Sequence, residues 1–215
     1  MNIINFPSYP LPLLLGLAGF AFVSSITPGP NNLMLLHSGA RFGFKRTLPH
    51  LFGVSAGFSL MLFLCCIGVG GVLLHYPATQ WVLKTAGFAY MMWLAYKLWR
   101  GGIVPQMDLD TPDEQEKRRT KPLSWWEAAL FQYVNPKAWM MVLTVAGAYL
   151  PGGSSVWPQA LFISIMVFII NTACVSVWAR GGELLHHIIQ RPTWAAWANR
   201  IIVAMTVYCA VSVWF

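Results

Sequence analysis

Charge is scarce in this sequence: lysine, arginine, aspartate and glutamate make up 10% of its 215 residues, where a soluble domain carries about 25%. The apolar share is 57% and the mean hydropathy +0.56, against an ordinary apolar share of about 45–50%. Because the apolar residues come in long blocks, these values exclude an ordinary soluble domain and indicate an integral membrane protein. Acidic groups are rarest, with seven in the chain, and none falls near the middle of an apolar block. Glu127 lies just inside the fourth block and Glu183 at the end of the fifth. A buried site for a cation needs a carboxylate at depth, so a cationic ligand is disfavoured.

Cysteine and histidine offer no chemistry either. Cys65, Cys66, Cys174 and Cys209 all lie in apolar blocks without metal-ligand spacing, and they read as small hydrophobes. His37, His50, His75, His186 and His187 form no HExxH-type pair and have no serine partner at motif spacing. His186 and His187 are expected in a basic loop. No metal and no cofactor is expected, and an intramembrane enzyme is the weaker reading. The net charge of +7 does not indicate nucleic acid, because the basic residues sit in short loops rather than on one polar face. The opening stretch, MNIINFPSYPLPLLLGLAGF, lacks a basic n-region and is apolar for too long to be a signal peptide. It is expected to be the first membrane segment, retained in the mature protein.

What the chain does have is apolar runs. A membrane-crossing helix needs about 20 apolar residues, and six candidate segments lie at 11–36, 49–74, 79–99, 125–149, 157–179 and 198–215. Short turns are expected near 75–80, with His75 and Pro77, and near 150–156, with the LPGGSS run. Residues 101–123 are hydrophilic and mixed in charge, and are expected to form a mobile cytoplasmic loop. Basic residues gather in three connections: Arg41, Lys45 and Arg46; Lys97, Arg100, Lys117, Arg118, Arg119 and Lys121; and Arg180, Arg191 and Arg200. The opposite side has only Lys84, which can snorkel. By the positive-inside rule these connections are cytoplasmic and both termini face outward. Trp125, Trp126, Trp157, Trp178, Tyr76, Tyr149 and Trp214 fall near segment ends, as interfacial aromatics do.

Two of the runs are interrupted. The first contains SSITPGPNNLMLL (24–36) and the fourth LFQYVNPKAWMMVL (130–143). Proline cannot continue a helix, but asparagine is a favoured N-cap and proline a favoured first helical residue. Asn135-Pro136 can therefore start a new half-helix, and Gly29-Pro30 can do the same. Pro30 precedes Arg41 by 11 residues and Pro136 follows Trp125 by 11. Each break then lies about 16 Å from the cytoplasmic edge, near the middle of a core about 30 Å thick. The chain divides into halves of three segments, about 1–106 and 107–215, and because three is odd the second half inserts upside down. The expected fold is a single all-α polytopic membrane domain, 1–215. Its six transmembrane helices form two inverted three-helix repeats, with helices 1 and 4 interrupted near the midplane. Inverted-repeat secondary transporters have this layout; the competing reading is that both prolines merely kink their helices.

The candidate site residues gather at the breaks: Thr27, Pro28, Gly29, Pro30, Asn31 and Asn32 at the first, Asn135, Pro136 and Lys137 at the second. Two half-helix N-termini meeting near the midplane would present positive dipole ends to an anion such as a carboxylate. Lys137 is the one charge placed deep in the bilayer, where an ionised group costs about 2.5 kcal/mol or more. It is expected to hold a substrate carboxylate or to pair with polar backbone at the break. Thr27, Asn31, Asn32 and Asn135 add neutral hydrogen bonds. Asn171 is another polar group at depth, serving either the site or the contact between helices. Gly53 and Gly57, four apart, read as close helix packing. For proton coupling the candidates are Glu127, or Lys137 with a lowered pKa.

ITPGPNNLMLLHSGARFGFKRTLPHLFGVSAGF (26–58) resembles the N-terminal signature of the LysE/RhtB superfamily of amino-acid exporters, in its homoserine/threonine-resistance-like branch. FQYVNPKAWMMVLT (131–144) resembles that family's second motif, an asparagine-proline-lysine in the fourth segment. The likeness extends over the whole chain, and the two motifs together make it specific. It implies proton-driven antiport of amino acids or related metabolites out across the bacterial inner membrane. Its site residues carry over onto Thr27, Pro28, Gly29, Pro30 and Asn31, and onto Asn135, Pro136 and Lys137. Family members of this kind handle neutral substrates such as homoserine, threonine, leucine or cysteine derivatives, besides lysine, and the missing midplane carboxylate favours the neutral class. The implied partners are a small amino acid, protons and membrane lipid, with no nucleic acid; a homo-oligomer stays open. The competing readings are a membrane enzyme or sensor acting through the cytoplasmic loops, and a passive channel.

Overall fold

The first apolar run forms α1 (Leu11–Ile26) and stops where Pro28 and Pro30 remove backbone donors. A new helix, α2 (Pro30–Phe42), starts on Pro30 with Gly29 as N-cap, bent by 54° from the first. One residue, Gly43, then turns the chain into α3 (Phe44–Leu64), which a π-helical turn, Cys65–Val69, extends. After α4 (Pro77–Gly101) the second interrupted run repeats the device. It consists of α5 (Trp125–Phe131), a 3-10 turn over Gln132–Val134, and α6 (Pro136–Ala148). The long α7 (Val156–Ile189) and α8 (Pro192–Val211) complete the chain. The computed structural model describes residues 9–70, 75, 77–101, 121–150, 156–189 and 192–211, and among these there is no strand. Most of the hydrophilic loop expected at 101–123, most of the LPGGSS turn, Tyr76 and Trp214 lie outside the described residues.

Both half-helices after the breaks run for 13 residues and begin on proline. At Asn135 the side-chain oxygen accepts the Lys137 amide at 3.2 Å, completing the N-cap. Among the described residues two helices are long and apolar enough to cross a membrane, over Phe44–Gly68 and Val156–Leu185, and the bent α1–α2 pair makes a third such span if it counts as one. α4 and α8, of 25 and 20 residues, are long enough at about 1.5 Å per residue but carry Lys84, Lys97, Arg100 and Arg200.

Several boundaries differ from those expected. Arg41 lies in the last turn of α2, while Lys45 and Arg46 lie in the first turn of α3, so the anticipated loop shrinks to Gly43 at φ 79°. Only glycine adopts that conformation without strain. Pro49, expected at the start of a segment, sits inside α3; its missing donor falls near the exposed end of the helix, where the loss is tolerable. α7 continues through Arg180, Glu183, His186 and His187, which were expected at or beyond a segment end. Its extension puts Glu183 beside the corner, where Oε1 accepts the Phe44 amide at 3.0 Å and Oε2 accepts Arg180 at 2.8 Å. The Arg180 guanidinium also lies 4.0 Å from the centroid of the Phe44 ring.

α7 is the central element, packing against α1, α2 and α3, whereas α4 and α8 pack mainly on one another. One apolar cluster joins Leu17 and Ala21 of α1, Phe58, Met61 and Leu62 of α3, Met141 and Val142 of α6, and Ile163 and Val167 of α7. A second joins Leu35 of α2, Leu51 and Val54 of α3, Ala128 of α5, and Val175 and Ala179 of α7. In lipid, close packing rather than water exclusion holds helices together, so small residues mark the tightest contacts. A Cβ on Gly39 would lie 2.0 Å from the Ala179 carbonyl oxygen, and one on Gly182 2.0 Å from that of Leu36. A Cβ on Gly53 would lie 2.3 Å from the Trp125 carbonyl oxygen and one on Gly57 2.6 Å from that of Ala129, the close packing expected of this pair. Gly39→Ala and Gly182→Ala should each destabilise the protein by about 3 kcal/mol, the upper range for overpacking. Gly19→Ala, where an added Cβ meets nothing within 4 Å, should stay within about 0.5 kcal/mol; thermal unfolding in detergent measures all three.

Candidate functional site

A helix that ends inside a membrane leaves carbonyl groups that water cannot reach, each costing several kcal/mol unless paired. At the end of α1 other parts of the fold supply the donors. Trp178 Nε1 of α7 donates to Ile26 O at 3.0 Å, and Thr27 Oγ1 turns back to Ser24 O at 3.0 Å. Asn32 Nδ2 of α2 donates to Ser25 O at 2.8 Å and Thr27 O at 2.7 Å. Lys137 Nζ reaches across from α6 to Thr27 O at 2.9 Å, Thr27 Oγ1 at 3.0 Å and Pro28 O at 3.1 Å. The backbone-pairing role anticipated for Lys137 is thus present in the geometry. Trp178, expected at an interface, instead lies beside the break, because α7 runs on for three more turns.

A second set of bonds joins the two breaks directly. Asn31 Nδ2 donates to Gln132 Oε1 at 2.8 Å, and Gln132 Nε2 returns a bond to Asn31 Oδ1 at 3.1 Å. Gln132 Nε2 also donates to Ala128 O at 2.9 Å, and the residue is fully buried. Sequence reasoning passed over Gln132; the signal was an amide inside the apolar run LFQYV, three residues before Asn135. Behind the first break, Asn171 Nδ2 donates to Ser25 Oγ at 3.1 Å and its Oδ1 accepts Ser55 Oγ at 3.2 Å. Asn171 therefore ties α1, α3 and α7 together, and it also faces the cleft.

That cleft has an empty volume of about 320 Å³, counted out to its open mouth. Gly29, Pro30, Asn31 and Asn32 line one side of it, with Asn135, Lys137 and Ala138 on the other, so the starts of α2 and α6 open onto one space. Phe58, Met141 and Val175 give an apolar wall, and Ser24, Ser25 and Asn171 a polar one. Phe58 belongs to the first apolar cluster and Val175 to the second, so the cleft lies where they meet. Thr27 and Pro28 do not line it but supply the oxygens that hold Lys137. Pro136 is buried against α4, where a Cβ on Gly87 would stand 2.8 Å from its Cδ. Gly29 is extended, at φ −175°, so its backbone suits any residue; a Cβ there would lie 2.8 Å from Lys137 Cδ and would have to displace the lysine chain.

Glu127 stands apart from the cleft. Its Oε2 accepts both the Ser124 amide and hydroxyl at 2.9 Å, while the Ser124 hydroxyl accepts the Glu127 amide at 3.3 Å, a capping box at the exposed start of α5. Among the described residues no group of three histidine, cysteine or acidic side chains could hold a metal ion.

Two broken helices that open onto a polar cleft in an apolar bundle are a layout known from membrane transporters. The profile of the LysE type translocator family matches residues 22–215, and the chain belongs to that family. It is similar to the cysteine/O-acetylserine efflux protein of Escherichia coli O1:K1, with 27% identity over 91% of this chain and 94% of the relative. The proteins of the same description from Escherichia coli K12 and Shigella sonnei are 26% identical over the same shares. No solved structure gives a significant match.

The amide pair between the breaks should be costly to cut. Gln132→Leu should destabilise the protein by about 1 kcal/mol, since it removes two bonds to the half-buried Asn31 amide at the edge of the cleft. Adding Asn31→Leu should cost much less than the sum of the single changes, as a thermal-unfolding double-mutant cycle would show.

Proposed function

We propose that this protein is a secondary exporter of a small neutral amino acid across the cytoplasmic membrane of a bacterium. The observation that carries the reading is the cleft, onto which two half-helix N-termini open together with Lys137 and no carboxylate. The starts of α2 and α6 bring dipole-positive ends to one point, and Asn31, Asn32 and Asn135 add amide groups; a carboxylate-bearing substrate satisfies such a site. The apolar wall of Phe58, Met141 and Val175 suits a short uncharged side chain. The similar efflux proteins are named for cysteine and O-acetylserine, both small and neutral, and these head the list of substrates to try.

In this reading the chain crosses the membrane six times as two inverted three-helix units, about 1–106 and 107–215. The repeated order of broken helix, long helix and long helix supports it, as do the matched 13-residue half-helices. The distribution of basic residues supports both termini lying outside the cytoplasm. Alternating access comes from rocking one unit against the other about the paired breaks. A proton gradient drives the exchange, and of the two candidate carriers Lys137 is the one on the cleft, while Glu127 is engaged in its capping box.

Purified protein in vesicles loaded with unlabelled cysteine, O-acetylserine, homoserine, threonine or leucine should accumulate the matching labelled amino acid by counterflow. Flux of none of them would overturn the reading. Uptake driven by an imposed proton gradient separates an antiporter from a passive channel. Lys137→Ala should abolish counterflow while leaving the protein inserted and monodisperse; unchanged transport would remove Lys137 from the site.

A further inference from the structure

The cluster around Lys137 has the form of an ammonium receptor. Its Nζ donates to Thr27 O, Thr27 Oγ1 and Pro28 O at 2.9, 3.0 and 3.1 Å, three acceptors for the three protons of a primary ammonium. Two of these are the carbonyls that directly follow α1, of its C-cap Thr27 and of Pro28, just past the negative end of its dipole. None carries a formal charge, so the seat is selective for a cation without being an anion itself. Immediately beyond it the first amides of α2 present the positive end of a second dipole. The Lys137 side chain passes between them, over Gly29, where an added Cβ would lie 2.8 Å from Cδ and 3.0 Å from Nζ. One break therefore offers a negative pole and a positive pole across the width of a glycine. An α-amino acid carries an ammonium and a carboxylate on a single carbon, and its two charges match that pair.

We propose, resting on the amino-acid reading above, that the end of α1 is the seat of the substrate's α-ammonium and that Lys137 competes for it. When the substrate's ammonium takes the three oxygens, the displaced lysine turns to the substrate's carboxylate. The exchange leaves every ammonium paired and adds no net charge to the cleft, which is how a site lined by no carboxylate accepts a cationic group. It also sets specificity. An amine without a carboxylate adds a second positive charge beside Lys137 and is rejected. A carboxylate without an amine leaves Lys137 seated and gains only the helix amides.

The test uses the purified full chain and needs no transport. Binding of L-alaninol, a primary amine without a carboxylate, is measured by thermal shift at fixed ionic strength. Lys137→Met should bind it at least about tenfold more tightly than the unaltered protein, the worth of one charge-assisted hydrogen bond. Adding Thr27→Val should remove most of that gain, and Thr27→Ser should keep it. Equal or weaker alaninol binding by Lys137→Met overturns the proposal. So does a gain that survives Thr27→Val undiminished, since removal of a positive charge alone would then explain it. If Lys137→Met does not fold, Thr27→Val in the otherwise unaltered protein decides: binding of the transported amino acid should weaken about tenfold and recover in Thr27→Ser, and equal binding overturns the proposal. Should no amino acid give counterflow, the export reading fails while alaninol binding still reports on the seat.

Discussion

A backbone that stops being helical inside a membrane must find its hydrogen bonds elsewhere in the protein, and most of this fold is arranged around that requirement. The carbonyls at the end of α1 and just beyond it accept from Trp178 on α7, Asn32 on α2 and Lys137 on α6. Three separate elements are thereby held to one point of the chain. Removing Trp178 or Asn32 leaves a carbonyl of α1, at Ile26 or Ser25, that lipid cannot satisfy. The same bonds that make the break tolerable therefore also set the positions of the helices around it. The close contacts of Gly39 and Gly182 bring α2 and α7, which carry two of these donors, backbone to backbone.

The two breaks depend on one another unequally. The second supplies its own N-cap through Asn135, whereas the first, with glycine at that position, has no side-chain cap. What the first lacks locally it receives from the second: Lys137 for its carbonyls and Gln132 for Asn31. A single proline break could be a kink with no further consequence. Two breaks that share an amide pair and a lysine form one unit, and the cleft lies at their junction.

Much of this was legible in the sequence because proline, asparagine and long apolar runs act locally. Asn135-Pro136 starts a helix wherever it stands, and Gly29-Pro30 does nearly so, hence both half-helix starts were foreseeable to the residue. Segment ends were less so. A helix end in a membrane protein is decided by what lies beside it, which is why α7 passes Trp178 and Arg180 without stopping and why a supposed loop at 41–46 is a single glycine. Gln132 went unnoticed for a related reason: its partner is 101 residues away, and nothing in LFQYV marks the glutamine as anything but a polar interruption. Glu127 shows the converse. A rare acid near a membrane segment invites a functional reading, but a serine three residues earlier makes it a cap.

The corner at Gly43 bears on motion. With one residue between them, α2 and α3 have no slack. Glu183 grips the first amide of α3 while Arg180 lies over Phe44. The two helices thus form a rigid elbow clamped to α7, and the joint that precedes it is the three-residue stretch 27–29 between α1 and α2. Any swing of α1 must pivot there, at the residues whose oxygens hold Lys137. The hinge and the lock of this half are the same few atoms.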